Sequence, residues 1–166
     1  MNSARTKGLV VAVLHLVIVG SLGGKLLADR ATRPRVWARA APVDPNLPIR
    51  GRYVRLRVEA ADPEGPVNNS SGYRRVLLVE ENGQLVARSA VGSDGLFART
   101  VQRDGQRIVV IDSPLAYFIP EHVPDPSRRE PGEELWVEVT LPRQGAPRPI
   151  RLGVRKDGRL TPLPLD

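Results

Sequence analysis

Tyr73-Arg74-Arg75-Val76-Leu77-Leu78-Val79-Glu80-Glu81-Asn82-Gly83-Gln84-Leu85-Val86-Ala87-Arg88-Ser89 is the stretch that decides the fold class. An Asn-Gly pair stands between two apolar runs. Both residues accept the positive φ angles that a two-residue hairpin turn requires, so Val76–Glu81 is expected to fold back on Gln84–Ser89. The same signature recurs twice. Asp104-Gly105 joins Phe97–Arg103 to Gln106–Asp112, and Asp157-Gly158 joins Ile150–Lys156 to Arg159–Leu163.

Two more strands follow from alternation with a period of two. Tyr53–Val58 places Val54, Leu56 and Val58 on one face and Tyr53, Arg55 and Arg57 on the other. Glu134–Leu141 sets Leu135, Val137, Val139 and Leu141 against Trp136, Glu138 and Thr140. No stretch beyond residue 40 has a long helical period. Eight or so short strands joined mainly by hairpins predict a mainly β domain, either an antiparallel hairpin-rich sandwich or a small open barrel.

Upstream, residues 8 to 24 are apolar apart from His15 and Ser21. As a helix they would be about 25 Å long, enough to cross the hydrocarbon core of a bilayer. The expected organisation is therefore a short basic tail over residues 1–7, one transmembrane helix over 8–27, a Pro/Arg-rich linker over 28–48 and a β domain over 49–166. Pro34, Pro42, Pro45 and Pro48 interrupt any helix in the linker. A cleaved signal peptide is the competing reading of the N-terminus. The apolar run exceeds a usual signal core, and Ala38-Arg39-Ala40 lies too far beyond it for ordinary processing, which favours an uncleaved anchor. The side of the membrane is contested by two signals. Two basic residues precede the helix and five follow it within fifteen residues, which would keep the domain in the cytoplasm, whereas a short basic tail before an apolar run is how exported chains begin.

The formal net charge of +7 is unevenly spread. Residues 1–40 hold seven basic side chains and one acidic one, against 18 and 17 in the remainder. The excess thus flanks the apolar helix, where Lys and Arg meet lipid headgroups, and nucleic acid is not expected as a partner. Membrane lipid is.

Catalytic chemistry finds little to work with. The chain has no Cys, which removes disulfides, thiolate nucleophiles and thiolate metal sites together. His122 is the only His beyond residue 40, flanked by Glu121 and Asp125 at a spacing that specifies no metal. Glu80-Glu81 and Glu133-Glu134 are neighbours whose side chains would point to opposite faces of a strand. No catalytic residue, metal site or cofactor is expected. Two alternatives to a binding role remain open: a membrane-tethered hydrolase of peptide or cell-wall substrates, using Ser with Lys156 or His122 as base, and a lipid or small-ligand carrier with an apolar pocket inside the β layer. Among the six aromatic side chains of residues 49–166, Tyr53 shares its face with Arg55 and Arg57 and would form an interaction surface if exposed.

At Gly51-Arg52-Tyr53-Val54-Arg55-Leu56-Arg57-Val58 and again at Tyr117-Phe118-Ile119-Pro120-Glu121, the chain resembles the GDYXXLXY protein family of bacterial, single-span membrane proteins. Asp44-Pro45 ahead of the first motif and Lys156-Asp157-Gly158-Arg159 near the end keep the same order, so the likeness runs along nearly the whole chain. Arg52 stands where the motif has Asp and Val58 where it ends in Tyr, which argues for a structural role of the motif. The resemblance implies attachment to the inner (cytoplasmic) membrane, a domain on the periplasmic side, and assembly with a multi-pass membrane protein. It implies no activity, because the family is uncharacterised. The expected interaction surface is Arg52, Tyr53, Arg55, Tyr117, Pro120 and Glu121, and the expected role is an accessory or interaction subunit of a membrane complex.

Overall fold

A computed structural model describes residues 3–43, 53–63, 72–103, 105–143 and 145–164. The chain divides into two units, Met1–Arg33 and Pro34–Asp166. The first is helix α1, Ser3–Thr32. Its Thr6–Ala28 portion is long and apolar enough to cross a membrane. His15 and Ser21 do not break it, because each is satisfied inside the helix: His15 Nδ1 lies 2.8 Å from the Val11 carbonyl, and the Ser21 hydroxyl donates to the Ile18 carbonyl at 2.9 Å.

The second unit is mainly β. Its strands are β1 (Arg35–Pro42), β2 (Tyr53–Ala61), β3 (Tyr73–Glu81), β4 (Gln84–Ser89), β5 (Leu96–Arg103), β6 (Gln106–Ile111), β7 (Leu115–Phe118), β8 (Glu134–Thr140), β9 (Arg148–Lys156) and β10 (Arg159–Pro162). They form one sheet in the order β10-β9-β8-β1-β2-β4-β3-β5-β6, with β7 also on β2. All three expected hairpins are present, as β3–β4, β5–β6 and β9–β10. The turn residues adopt the required conformation: φ is 52° and 78° at Asn82 and Gly83, and 50° and 79° at Asp157 and Gly158. Asp104 lies outside the described residues.

β2 organises the rest. Tyr53–Leu56 pairs with β7, Leu56–Val58 with β1, and Glu59–Ala61 with β6, while Ala61 makes a single parallel bridge to Val86 of β4. The pairings therefore run from β2 through β4, β3, β5 and β6 back to β2. With neighbours on every side, Val58, Glu59 and Ala60 are buried in succession, and the simple alternation of Tyr53–Val58 ends there. One core cluster collects Val36 and Ala38 of β1, Leu56 and Val58 of β2, Val76 of β3, Val109 and Ile111 of β6, Val137 and Val139 of β8 and Leu152 of β9.

The expected linker over 28–48 is corrected. The α1 helix continues to Thr32, and residues 35–42 are the strand at the centre of the sheet, between β8 and β2. Val36, Ala38 and Ala40 turn inward, so the alternation is real, but two of its three inward positions are alanines and the segment reads as featureless. Pro34 and Pro42 bound the strand rather than interrupt it, as proline must at strand ends.

Candidate functional site

Three hairpin ends meet at one groove of about 690 Å³. Asn82 and Gly83 come from the β3–β4 turn, Arg103 and Gln106 flank the β5–β6 turn, and Gly158 comes from the β9–β10 turn. The remaining walls include Trp37 and Arg39 of β1, Glu59 of β2, Glu134 and Trp136 of β8 and Arg155 of β9. Register explains why these side chains share a face. Arg39 lies opposite Trp136, which lies opposite Gly153, and Trp37 lies opposite Glu138, which lies opposite Arg151.

The charges of the groove form a chain. Arg103 Nη1 donates to both oxygens of Glu59, at 2.5 and 2.6 Å, and Arg39 Nε stands 3.9 Å from the same carboxylate. Arg39 Nη2 reaches on to Glu134 at 3.1 Å, and Trp136 Nε1–H donates to the other Glu134 oxygen at 3.1 Å. The Glu59 side chain is only 5% exposed, and two guanidiniums stand where water would otherwise solvate it. Two cations and two anions balance. Beside them Arg155 lies over the Trp136 ring at 5.0 Å, and Arg151 lies over Trp37 at 5.3 Å while donating to Glu138 at 2.6 Å. Gly153 makes room for this layer, since a Cβ there would stand 2.9 Å from Trp37 Cζ3 and 3.1 Å from the Thr161 carbonyl oxygen.

Both Glu59 oxygens already accept from Arg103. The groove is lined by the two indoles, the amides of Asn82, Gln84 and Gln106, and Arg155, a combination suited to recognising mixed donors and acceptors. Its polar walls differ from the enclosed apolar pocket that a lipid carrier requires. Lys156 is equally far from a general base. Its Nζ donates to Glu133 at 3.3 Å and to Glu130 at 3.4 Å, and the bond to Glu133, then that to Glu130, holds its pKa above the ordinary lysine value. A base needs the opposite shift. His122 is exposed, and among the described residues no group of three His, Asp or Glu is arranged to hold a metal ion.

The surface expected from the sequence is only partly assembled. Tyr53 lies opposite Phe118, their rings edge-on with centroids 5.5 Å apart, and both are exposed; Arg55, opposite Ala116, is exposed beside them. Tyr117 is not part of this patch. It lies opposite Val54 and packs against the core, because successive residues of β7 face opposite ways and Phe118 takes the outward position. Pro120 is half-buried and Glu121 exposed in the segment after β7, and Arg52 lies outside the described residues.

The groove itself escaped the sequence reading. Trp136 and Glu138 share the face of β8 that alternation assigns to them, with Glu138 buried there, but Trp37 lay in the supposed linker. Arg39, counted among the charges flanking the membrane helix, is committed to Glu59 and Glu134. The one available signal was the alternation Val36-Trp37-Ala38-Arg39-Ala40. Comparison of the chain with protein-family models, with curated proteins and with solved structures finds no match in any of the three.

Proposed function

We propose that this chain is a membrane-anchored binding protein, an accessory subunit of an inner-membrane protein complex, with its β domain on the periplasmic side and a divergent membership of the GDYXXLXY family. One observation carries the reading: both tryptophans of the chain, Trp37 and Trp136, converge with Arg39, Arg103 and Arg155 on a single groove walled by hairpin ends. Tryptophan and arginine are the side chains that concentrate binding energy at protein interfaces, and a charge network already paired before binding needs little rearrangement. The occupant that suits it is a segment of a partner protein carrying both donors and acceptors. The apolar α1 supports the anchor, and the partner implied by the family resemblance is a multi-pass membrane protein.

The test is affinity purification of the full chain from membranes in mild detergent, for the native sequence and for Arg155→Glu. A multi-pass protein should copurify in fixed ratio with the native chain and be lost from the variant, while both chains stay in the membrane fraction. Because both tryptophans line the groove, complex formation should also shift the intrinsic emission. Recovery of the native chain alone, or equal retention of the partner by the variant, refutes the reading. A C-terminal reporter active only outside the cytoplasm tests the side independently.

A further inference from the structure

The far ends of the same hairpins are built differently. Past β8, the Leu141 N–H donates to the Pro34 carbonyl at 3.2 Å. Pro34 follows Thr32, the last residue of α1, by two positions, and two residues of chain reach about 7 Å at most. Leu141 and Arg143 line a cavity of about 520 Å³ together with Leu77, Leu96 and Val91 of the neighbouring segments. Val91 is 90% exposed, the most exposed large apolar side chain in the chain's described residues. It is held there by a constructed loop. Arg75 Nη1 donates to the Ser93 carbonyl at 2.7 Å while its guanidinium lies 4.2 Å from the Phe97 ring centroid. Gly95 closes the loop at a φ of 102°, where a Cβ would meet the Ala90 Cβ at 2.7 Å and the Val76 carbonyl oxygen at 2.9 Å. Arg143 and Arg148, at either end of the β8–β9 connection, are both exposed.

An apolar tip on a fixed loop, the exposed Arg143 on the same cavity with Arg148 at the other end of its connection, and a step of two residues to a helix able to span a membrane are together the chemistry of a lipid interface. Apolar side chains partition to the acyl boundary, and arginine binds phosphate through paired N–H groups. We propose that this end of the β domain contacts the headgroup layer of an anionic bilayer, Val91 entering it and Arg143 and Arg148 binding lipid phosphates. The proposal rests on α1 spanning the bilayer, and it is independent of what occupies the groove.

Because the chain has no Cys, single labels are unambiguous. The full chain carrying a bimane label at Val91→Cys, at Arg159→Cys beside the β9–β10 turn, or at Leu16→Cys within α1 would be reconstituted in phosphatidylcholine vesicles with and without phosphatidylglycerol. Quenching would be read with headgroup-region nitroxide lipids and, for the helix label, with acyl-chain nitroxides. The label at position 91 should lose most of its emission to headgroup nitroxides in phosphatidylglycerol vesicles, and that at 159 little. Arg143→Ala with Arg148→Ala should restore much of the emission at 91. Quenching at 91 no stronger than at 159, quenching indifferent to phosphatidylglycerol and to the double variant, or protection from lipid and from aqueous iodide alike each overturns the proposal. An unquenched label at position 16 would instead remove its premise, the inserted helix, and leave the groove untouched.

Discussion

The groove and the Val91 end lie at opposite ends of the β3–β4 hairpin, about 17 Å apart along five residues of strand, and they treat charge in opposite ways. In the groove, Glu59 and Glu134 hold Arg103 and Arg39 in a balanced chain, and Arg155 is backed by an indole. At the other end an apolar tip is held out by Arg75 and Gly95, with the exposed Arg143 lining the same cavity and Arg148 exposed opposite Thr140. A balanced chain of charge anchored on the buried Glu59 makes a surface that selects by shape and hydrogen bonding. Exposed guanidinium beside exposed Val makes a surface that responds to the charge of what it meets.

The largest expected effect that would break this contrast is at Glu59. Removing its carboxylate in Glu59→Ala leaves Arg103 and Arg39 facing each other over a buried floor. Loss of a buried partner costs about 3–5 kcal/mol; since both arginines are about a third exposed, we expect about 2–4 kcal/mol in urea unfolding of the detergent-solubilised chain. Arg143→Ala at the other end should stay within about 0.5 kcal/mol. Comparable losses for the two would abolish the distinction.

Next in size is Gly95→Ala, which tests whether the tip is constructed or merely loose. The added methyl has no space at a φ of 102° and should cost about 2 kcal/mol by the same measurement. A neutral effect would mean that the loop yields and Val91 is not held.

The smallest effect is the pH response of Lys156, near the β9–β10 turn. Its folded pKa is raised, so the contribution of its pairs with Glu133 and Glu130 is fully present below the ordinary lysine value and fades as pH rises through the higher folded value. Titration of the Lys156 side chain by NMR should show a midpoint above that of free lysine, moving down in Glu133→Gln. An unchanged midpoint in the variant would remove Glu133 as the main cause.

How much of this was legible depended on the range of the interactions involved. Asn82-Gly83 and Asp157-Gly158 announce their hairpins because a two-residue turn is decided by the φ preferences of the two residues in it. That Trp136 lies on the face opposite to Leu135 and Val137 follows from alternation alone. Tyr117 and Phe118 show the limit: the pair was visible as a motif, but which ring faces out is settled by register against Tyr53 and Val54. β1 shows a stricter one, since Ala38 and Ala40 carry too little hydrophobicity to mark a strand by themselves and are buried only because β8 and β2 lie alongside.

By itself, then, the order of amino acids determined the apolar helix, three hairpins and the mainly β class, because each rests on local φ preferences or on short periodicities. Only the tertiary structure decided that Glu59 meets Arg103, 44 positions away, that Trp37 lies on Gly153 and beside Trp136, and that Val91 is left uncovered. Those outcomes depend on which strands pair and in which register, and pairing is set by the burial of the whole core rather than by any one segment.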